Sequence, residues 1–274
     1  LKLRNEQPSF LLESVEKGEQ LGRYSFLGFD PAAVLTAREG RVWLAGSTEG
    51  GGEAELGGGD PLVAARAILS EHRAVGANGL PRFCGGLVGF VSYEATRFFE
   101  RVPQAARPGL GLPDMVLLLA DTVLIFDHVK HRLLVVANAP VVDGPVAGYQ
   151  AAVEKIEAIV SRLQQPARDD TVPPRSLARD TRPWASSVDQ PTFERAVLMA
   201  KEYIGAGDIF QVVLSQRLSR RTYAEPFAIY RALRMLNPSP YMFYLELPEG
   251  LRLIGSSPEM LARLDGRCAQ VRPI

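Results

Sequence analysis

Residues 115–139 read MVLLLADTVLIFDHVKHRLLVVANA, two apolar runs joined by a polar turn. Runs of this length, rich in apolar residues and bounded by polar ones, predict two long β-strands. The longer run, MVLLLADTVLIF, is too short to span a bilayer and contains Asp121, so it is interpreted as a strand. The centre of the sequence therefore favours a fold built on sheets.

More strand signals precede this stretch. They are the apolar runs FLLESV (10–15) and YSFLGF (24–29), a hairpin around Glu39 and Gly40, and FCGGLVGFVSYEA (83–95), whose glycines require close approach of another backbone. The composition of the Gly-rich residues 46–60 cannot build a core, which predicts a surface loop. Pro61 follows Asp60 and predicts the start of a helix.

The pattern changes after residue 145. Apolar residues recur at helical spacing from Val146 to Gln165, which predicts a helix that ends at Pro166. Residues 166–190 are rich in Pro, Arg, Asp, Ser and Thr without an apolar period, and they are interpreted as a linker. The elements predicted beyond it are helices at 192–207 and 225–236, strands at 208–219, 241–247 and 251–257, and a hairpin about Asp265 and Gly266.

These elements predict an α+β protein whose mainly antiparallel sheets pack face to face as a sandwich, with helices on the outside. The predicted organisation is an N-terminal domain over residues 1–165, a linker over 166–190 and the beginning of a second domain over 191–274. The sequence stops within a predicted strand, at VRPI, so we expect the second domain to be incomplete.

The 274 residues carry a formal net charge of zero, and 46% of them are hydrophobic. This composition is typical of a globular protein, and the lack of a basic excess argues against binding to nucleic acid or to an anionic membrane. The first ten residues lack a signal-peptide core. The two distant cysteines, Cys84 and Cys268, form no disulfide framework and fit a reducing compartment, so a cytoplasmic location is expected.

Common cofactor and catalytic motifs are weak in this sequence. The glycines of residues 50–59 lack the Lys-Ser/Thr pair of a phosphate-binding loop. His128 and His131 form an H-x-x-H pair, but no carboxylate or cysteine cluster accompanies them. A polar turn is therefore the better interpretation of the two histidines.

Two other segments are more informative. Residues 8–31, PSFLLESVEKGEQLGRYSFLGFDP, place Glu13 and Ser14 directly after an apolar strand. Residues 236–247, LNPSPYMFYLEL, contain two prolines within three residues, which fix the backbone and remove two N–H donors. Carbonyls in such a turn lack local partners, and the Tyr-Met-Phe run that follows is suited to holding a flat aromatic ring. The alternative interpretation is a solvated strand end and a rigid turn with core aromatics.

Several motifs in order carry a family resemblance: LLES followed by GRYSFLG, then GAGDIFQVVLSQR, NPSPYMFYL, IGSSPEMLAR and VRPI. In this order and approximate spacing they resemble anthranilate synthase component I, a family of chorismate-utilising enzymes. The resemblance spans nearly the whole chain and implies that the sequence stops before the C-terminal catalytic part.

In that family the LLES and NPSPYM segments form the feedback site for L-tryptophan. The resemblance therefore assigns contacts with the amino acid to Ser14, Pro240, Tyr241 and Met242, with Glu13 and Asn237 as supports. The chemistry is suitable, because a free amino acid needs acceptors for its ammonium group, donors for its carboxylate and a slot for its side chain.

The resemblance also implies a lyase reaction of tryptophan biosynthesis. Ammonia adds to the chorismate ring with loss of the ring hydroxyl, and pyruvate is then eliminated to give anthranilate. A glutamine amidotransferase subunit, anthranilate synthase component II, supplies the ammonia, and Mg²⁺ holds the substrate carboxylate. Because the Mg²⁺ ligands and most chorismate contacts are expected beyond residue 274, no catalytic or metal-binding residue is assigned, and residues 1–274 alone are expected to be inactive.

Gln211 bears on the choice of nucleophile. Relatives that add water to chorismate, the isochorismate and salicylate synthases, carry Lys at the matching position, where it can act as the base that activates water. Gln211 is neutral and lies on the polar face of its predicted strand. It is therefore a candidate for lining an active site that uses ammonia, and the alternative is a surface glutamine.

Two alternative functions remain open. Aminodeoxychorismate synthase component I, of the folate pathway, shares the fold, the ammonia source and a similar tryptophan pocket. It usually carries Lys directly after the R-P-I triplet, where anthranilate synthases carry Ala. The other alternative is a non-catalytic fragment that binds tryptophan or the amidotransferase and turns over nothing.

Overall fold

The computed structural model describes residues 8–15, 22–46, 52–74, 79–102, 110–166 and 183–272. Their contacts divide into two compact units, one within residues 1–169 and 226–274 and the other within 170–225. In chain order the elements are β1 (Ser9–Glu13), β2 (Tyr24–Phe29), β3 (Ala33–Arg38), β4 (Arg41–Gly46), β5 (Glu53–Gly58), α1 (Pro61–Glu71), β6 (Gly86–Val91), β7 (Met115–Ala120), β8 (Thr122–Asp127), β9 (Arg132–Ala137), α2 (Pro145–Gln164), β10 (Ala185–Ser186), α3 (Gln190–Ala206), β11 (Leu218–Ser219), α4 (Pro226–Leu236), β12 (Tyr241–Glu246), β13 (Arg252–Ser257), β14 (Met260–Asp265) and β15 (Cys268–Arg272). Short 3₁₀ helices cover Tyr93–Phe98 and Pro248–Gly250.

Two large antiparallel sheets hold most strands of the larger unit, and β14 pairs with β15 in a separate two-stranded sheet. The six-stranded sheet has the order β13-β12-β1-β2-β8-β9, and the five-stranded sheet has the order β5-β4-β3-β7-β6. Every neighbouring pair in them is antiparallel. Because side chains alternate along a strand, each sheet has one face for its partner sheet and one outer face.

The main core lies between the two sheets. Phe10, Ile125 and Leu245 of the six-stranded sheet form one buried cluster with Val116 and Leu118 of the five-stranded sheet. Full burial of an apolar side chain of this size stabilises the fold by roughly 1.5–3 kcal/mol. This packing confirms the predicted α+β class, with mainly antiparallel sheets.

α1 covers the outer face of the five-stranded sheet. It begins as predicted, with Pro61 in its first turn and with the side chain of Asp60 accepting a hydrogen bond from the Leu62 N–H at 2.8 Å. Ile68 is buried against Leu35, among others, on that face.

α2 and α4 cover the outer face of the six-stranded sheet at two places. α2 contributes Ile159 to a buried cluster with Leu124 of β8. α4 contributes Tyr230 to a buried cluster with Met242 and Tyr244 of β12. The outer face of β1 and β2 lies between these two clusters.

The run MVLLLADTVLIF forms two strands, so the prediction of one continuous strand was wrong. β7 ends at Ala120 and β8 begins at Thr122, and the two strands belong to different sheets. Asp121 forms the corner, where its carbonyl accepts hydrogen bonds from the Asn138 N–H at 2.7 Å and from Asn138 Nδ2 at 3.1 Å. Lys155 Nζ lies 2.6 Å from Asp121 Oδ2. The polar residue that interrupts the run thus marks the passage from one sheet to the other.

Two further local predictions were wrong. The Gly-rich residues 46–60 were expected to be a loop, but β5 lies within them, because pairing at the edge of a sheet needs no apolar face. Residues 208–219 were expected to be a strand, but only Leu218–Ser219 pair as one. A strand requires a hydrogen-bonded partner, and the partner of β11, β10, is two residues long.

The contact units differ from the predicted division into 1–165, 166–190 and 191–274. β12 falls in the predicted second domain, yet it pairs with β1 within the larger unit. Nearness in sequence could not indicate this pairing, because it joins strands close to opposite ends of the chain. Residues 167–182 of the predicted linker lie outside the described residues. The division into an N-terminal and a chorismate-binding domain stays a prediction.

Candidate functional site

The two segments singled out in the sequence lie side by side. In the antiparallel pair β1–β12, Glu13 is opposite Met242. Just beyond that pair, the Val15 N–H donates to the Ser239 carbonyl at 3.1 Å. Because both neighbours of Ser14 are tied to this part of the chain, Ser14 lies next to the turn that leads into β12.

The Ser14 hydroxyl oxygen is buried and has no hydrogen-bond partner in the part of the chain that the structure describes. Leaving a buried polar group unpaired costs about 1–3 kcal/mol. Such groups are uncommon in folded proteins, and a partner outside the protein is one explanation for them. Ser14 is therefore the predicted residue whose environment departs most from that of an ordinary structural side chain.

The Glu13 carboxylate is held by α4. The Tyr230 hydroxyl donates to Glu13 Oε2 at 2.5 Å, and Arg234 Nε lies 3.2 Å from the same oxygen. Tyr230 is only 1% exposed. Burial, and then the hydrogen bond to Glu13, raise the pKa of Tyr230 above its ordinary value, so the hydroxyl remains a donor at neutral pH.

The turn between α4 and β12 uses its carbonyls within the protein. The Ser239 carbonyl accepts from Val15, and the Asn237 carbonyl accepts from Ser256 Oγ at 2.6 Å. The expectation that carbonyls here lack partners was therefore wrong for these two, because the neighbouring strands β1 and β13 supply donors. The side chain of Asn237 lies at an exposed position.

The other residues predicted to contact the amino acid differ in how far their side chains are exposed to solvent. Pro240 and Tyr241 are half-buried. Met242 is only 1% exposed and packs with Tyr230 and Tyr244 beneath α4. The fold thus brings the predicted residues together but encloses the Met242 side chain in a core cluster.

A cavity of about 330 Å³ lies on the outer face of the six-stranded sheet, beside Glu13. Its lining is mainly apolar and includes Leu11, Leu27 and the ring of Phe227. Glu246 also lines it and accepts hydrogen bonds from the Tyr244 hydroxyl at 2.8 Å and from Ser9 Oγ at 3.2 Å. Among the six residues predicted for the amino-acid site, Glu13 is the one that lines this cavity.

Sequence reasoning missed Tyr230 and Glu246. One signal was available, because Met242, Tyr244 and Glu246 alternate along β12 and so share a face. A second was the four-residue spacing of Tyr230 and Arg234, which places both on one side of a helix. Neither pattern identifies Glu13 as the partner, since that contact spans 217 residues.

The sequence profile of the family described as chorismate binding enzyme matches residues 7–274. The chain belongs to the chorismate-binding enzyme family. It is similar to "Anthranilate synthase component 1" of Acetivibrio thermocellus, with 38% identity over 268 residues, which cover 97% of this chain and 53% of the relative. It is also similar to the protein of that name from Synechocystis sp., with 40% identity over 294 residues, which cover 100% of this chain and 56% of the relative.

A solved structure shows the same fold. The crystal structure of anthranilate synthase component I from Streptococcus pneumoniae TIGR4 matches with a TM-score of 0.72 at 26% identity, covering 96% of this chain and 55% of that chain. This member of the chorismate-binding enzyme family therefore spans about half the length of the relatives it matches.

Gln211 of this family member lies in the smaller unit, is exposed and is outside β11. Its predicted place on the polar face of a strand is therefore wrong. A role in lining the active site stays a prediction.

The described residues of this chorismate-binding enzyme offer no group of three or more His, Cys, Asp and Glu side chains that could hold a metal ion. His128, half of the histidine pair in the sequence, lies with Nε2 2.8 Å from Ser25 Oγ. The resemblance implies Mg²⁺ ligands beyond residue 274, and that expectation stays a prediction. Within the described ranges, no helix is long and apolar enough to cross a membrane.

Proposed function

We propose that this chain is part of an anthranilate synthase component I. The observation that carries the proposal is the 38% identity with a protein of that name over 97% of this chain. The match extends through the strands of both sheets and through the turn before β12, so it is not confined to one motif.

The proposed reaction converts chorismate and ammonia to anthranilate, pyruvate and water. The nitrogen forms a bond to the ring as the ring hydroxyl leaves as water. Loss of a ring proton and of the enolpyruvyl group, which leaves as pyruvate, then makes the ring aromatic. A glutamine amidotransferase subunit supplies the ammonia. Since the described residues lack a fitting metal site, no step of the reaction is assigned to Mg²⁺ within this chain.

We further propose that L-tryptophan inhibits this enzyme by binding where β1 ends beside the turn into β12. Ser14 supports this site through its buried hydroxyl, which has no hydrogen-bond partner among the residues that the structure describes. Glu13 supports it through a carboxylate fixed for binding an ammonium group. Pro240 and Tyr241 contribute the neighbouring wall. Met242 acts through its packing, and Asn237 holds the turn. An aromatic amino acid needs this combination of acceptors and apolar surface.

A turnover assay tests the reaction. The complete enzyme containing this chain is incubated with chorismate and ammonium, and anthranilate is followed by its fluorescence and pyruvate by a coupled reaction. We expect both products from the complete enzyme and none from residues 1–274 alone. Formation of aminodeoxychorismate without pyruvate would move the assignment to aminodeoxychorismate synthase, and anthranilate from the chain alone would refute the claim that essential groups lie elsewhere.

Replacement of Ser14 tests the inhibitory site. Ser14→Phe introduces a bulky ring beside the turn and is expected to abolish inhibition of the complete enzyme by tryptophan. Ser70→Phe, at an exposed position on α1, serves as the matched control and should leave inhibition intact. If Ser14→Phe and the control give the same inhibition curve, tryptophan does not bind at Ser14.

A further inference from the structure

The carboxylate of Glu13 is held by two donors from one helix. Tyr230 and Arg234 are four residues apart on α4, so their side chains leave the same face one turn apart. Both act on Glu13 Oε2, at 2.5 Å and 3.2 Å. One oxygen of the carboxylate is therefore fixed by a neutral donor and a cation together.

The second oxygen of this carboxylate has a different environment. Because both α4 donors act on Oε2, Oε1 stays available as an acceptor within the described part of the chain. Glu13 also lines the cavity of about 330 Å³ on the outer face of the sheet. A carboxylate with one oxygen fixed by hydrogen bonds and the other free to accept is suited to binding an ammonium group in one orientation.

α4 is also connected to the other half of the proposed amino-acid site. Its last turn continues through Asn237, whose N–H donates to the Leu233 carbonyl at 2.8 Å, into the turn before β12. Within that turn, the Ser239 carbonyl accepts a hydrogen bond from the Val15 N–H. α4 is therefore connected to both segments of the proposed site. It leads directly into the turn before β12, and its side chains contact Glu13 at the end of β1.

We propose that Tyr230 is a positioning residue for this site, with Arg234 as its partner. Its hydroxyl orients Glu13 so that Oε1 meets the ammonium group of the bound amino acid. Tyr230 itself does not touch the ligand and acts through Glu13. This inference rests on the proposed tryptophan site, and it adds the residue that orients the carboxylate by which the site selects a free amine.

The experiment compares two ligands by calorimetry on the complete enzyme that contains this chain. L-Tryptophan carries the ammonium group, and indole-3-propionate has the same ring and carboxylate without it. Tyr230→Phe keeps the buried ring and removes only the hydroxyl. We expect it to raise the Kd of L-tryptophan about five- to tenfold, which lies within the effect of losing one ordinary hydrogen bond, and to change that of indole-3-propionate by less than about twofold.

Two more variants separate positioning from folding. Arg234→Gln should weaken L-tryptophan selectively as well, whereas Arg231→Gln, at the exposed next position along α4 after Tyr230, should change neither Kd. In a Glu13→Gln background, Tyr230→Phe should have no further effect on either ligand, because the group that it orients has been neutralised.

The outcomes distinguish the positioning role of Tyr230 from the proposed tryptophan site itself. If the unmodified complete enzyme binds L-tryptophan and Tyr230→Phe leaves the Kd unchanged, or weakens the binding of both ligands equally, the positioning role is refuted and the tryptophan site stands. If the unmodified complete enzyme does not bind L-tryptophan, the site and the positioning role both fail. Loss of affinity confined to the ligand with the ammonium group supports both.

Discussion

Glu13 lies directly opposite Met242 in the antiparallel pair β1–β12. The two residues belong to the two segments of the sequence that pointed to amino-acid binding, and pairing of the strands places them in one local environment. Their side chains lie on the α4 side of the sheet, where Tyr230 contacts Glu13 and packs against Met242. Because Tyr230 contacts both residues, we expect a substitution at Glu13 or Met242 to alter the packing of the other.

Ser14→Ala should separate stability from binding. Removing a buried hydroxyl that has no partner among the described residues relieves a desolvation cost, so the free energy of unfolding should stay the same or rise by up to about 1 kcal/mol. The affinity for L-tryptophan should fall, because the hydroxyl is proposed to contact the ligand. Urea unfolding and calorimetry on the same sample test this. A variant that loses stability and keeps its affinity would show that Ser14 is structural.

Met242→Ala should destabilise the larger unit. The side chain is 1% exposed in the cluster beneath α4, and truncating a buried Met to Ala costs about 2–5 kcal/mol. Met235→Ala is the matched control, since Met235 is on α4 and 83% exposed, and it should change stability by less than about 0.5 kcal/mol. Urea unfolding curves measure both. Equal stability of the two variants would contradict the buried position of Met242.

Gly89→Ala should disrupt the pairing of β6 with β7. A Cβ atom at residue 89 would lie 1.9 Å from the Val116 carbonyl oxygen, which is a backbone atom and cannot rotate away. The expected loss of stability is about 3 kcal/mol, at the upper end of overpacking costs. Gly52→Ala is the control, because a Cβ there meets nothing within 4 Å. Similar melting temperatures for the two variants would refute this close approach.

Asp127 should give the fold a marked sensitivity to acid. Hydrogen bonds from Arg23 to both of its oxygens, at 3.2 and 3.1 Å, are the main cause that lowers its pKa to about 2. Because the folded pKa is below the unfolded value of about 3.9, the stabilisation is complete above pH 4 or so and is lost as the pH falls toward 2. Asp127→Asn should flatten the pH dependence of the melting temperature in that window. Asp208→Asn, at an exposed position, should leave it unchanged.

The sequence predicted those parts of the fold that depend on local patterns. The β3–β4 hairpin turns at Glu39 and Gly40, where both residues have positive φ angles of 52° and 77°, and the Gly-Asp-Pro signal at residue 61 begins α1. It also predicted that the glycines of β6 allow close backbone approach, and Gly89 confirms this.

The parts that failed depend on which partner a segment meets. The alternation in residues 208–219 is that of a strand, yet the segment has only the short β10 to pair with. Asp121 interrupts an apolar run in the sequence, but only the two sheets determine that it is a corner. In the candidate site, the resemblance selected Glu13 and Met242, whereas the Tyr230 contact depends on tertiary structure and had no signal of its own in either segment.

The place of β1 in the middle of the six-stranded sheet has a consequence for synthesis of the protein. Its partner β12 is made much later, and the contact between Ser9 and Glu246 spans 237 residues. At about 5–20 residues per second, β1 waits on the order of 10–50 s on the ribosome with one edge unpaired. An open edge is a template for pairing with other nascent chains. The strand that helps to build the candidate site thus presents an open edge until β12 has been made.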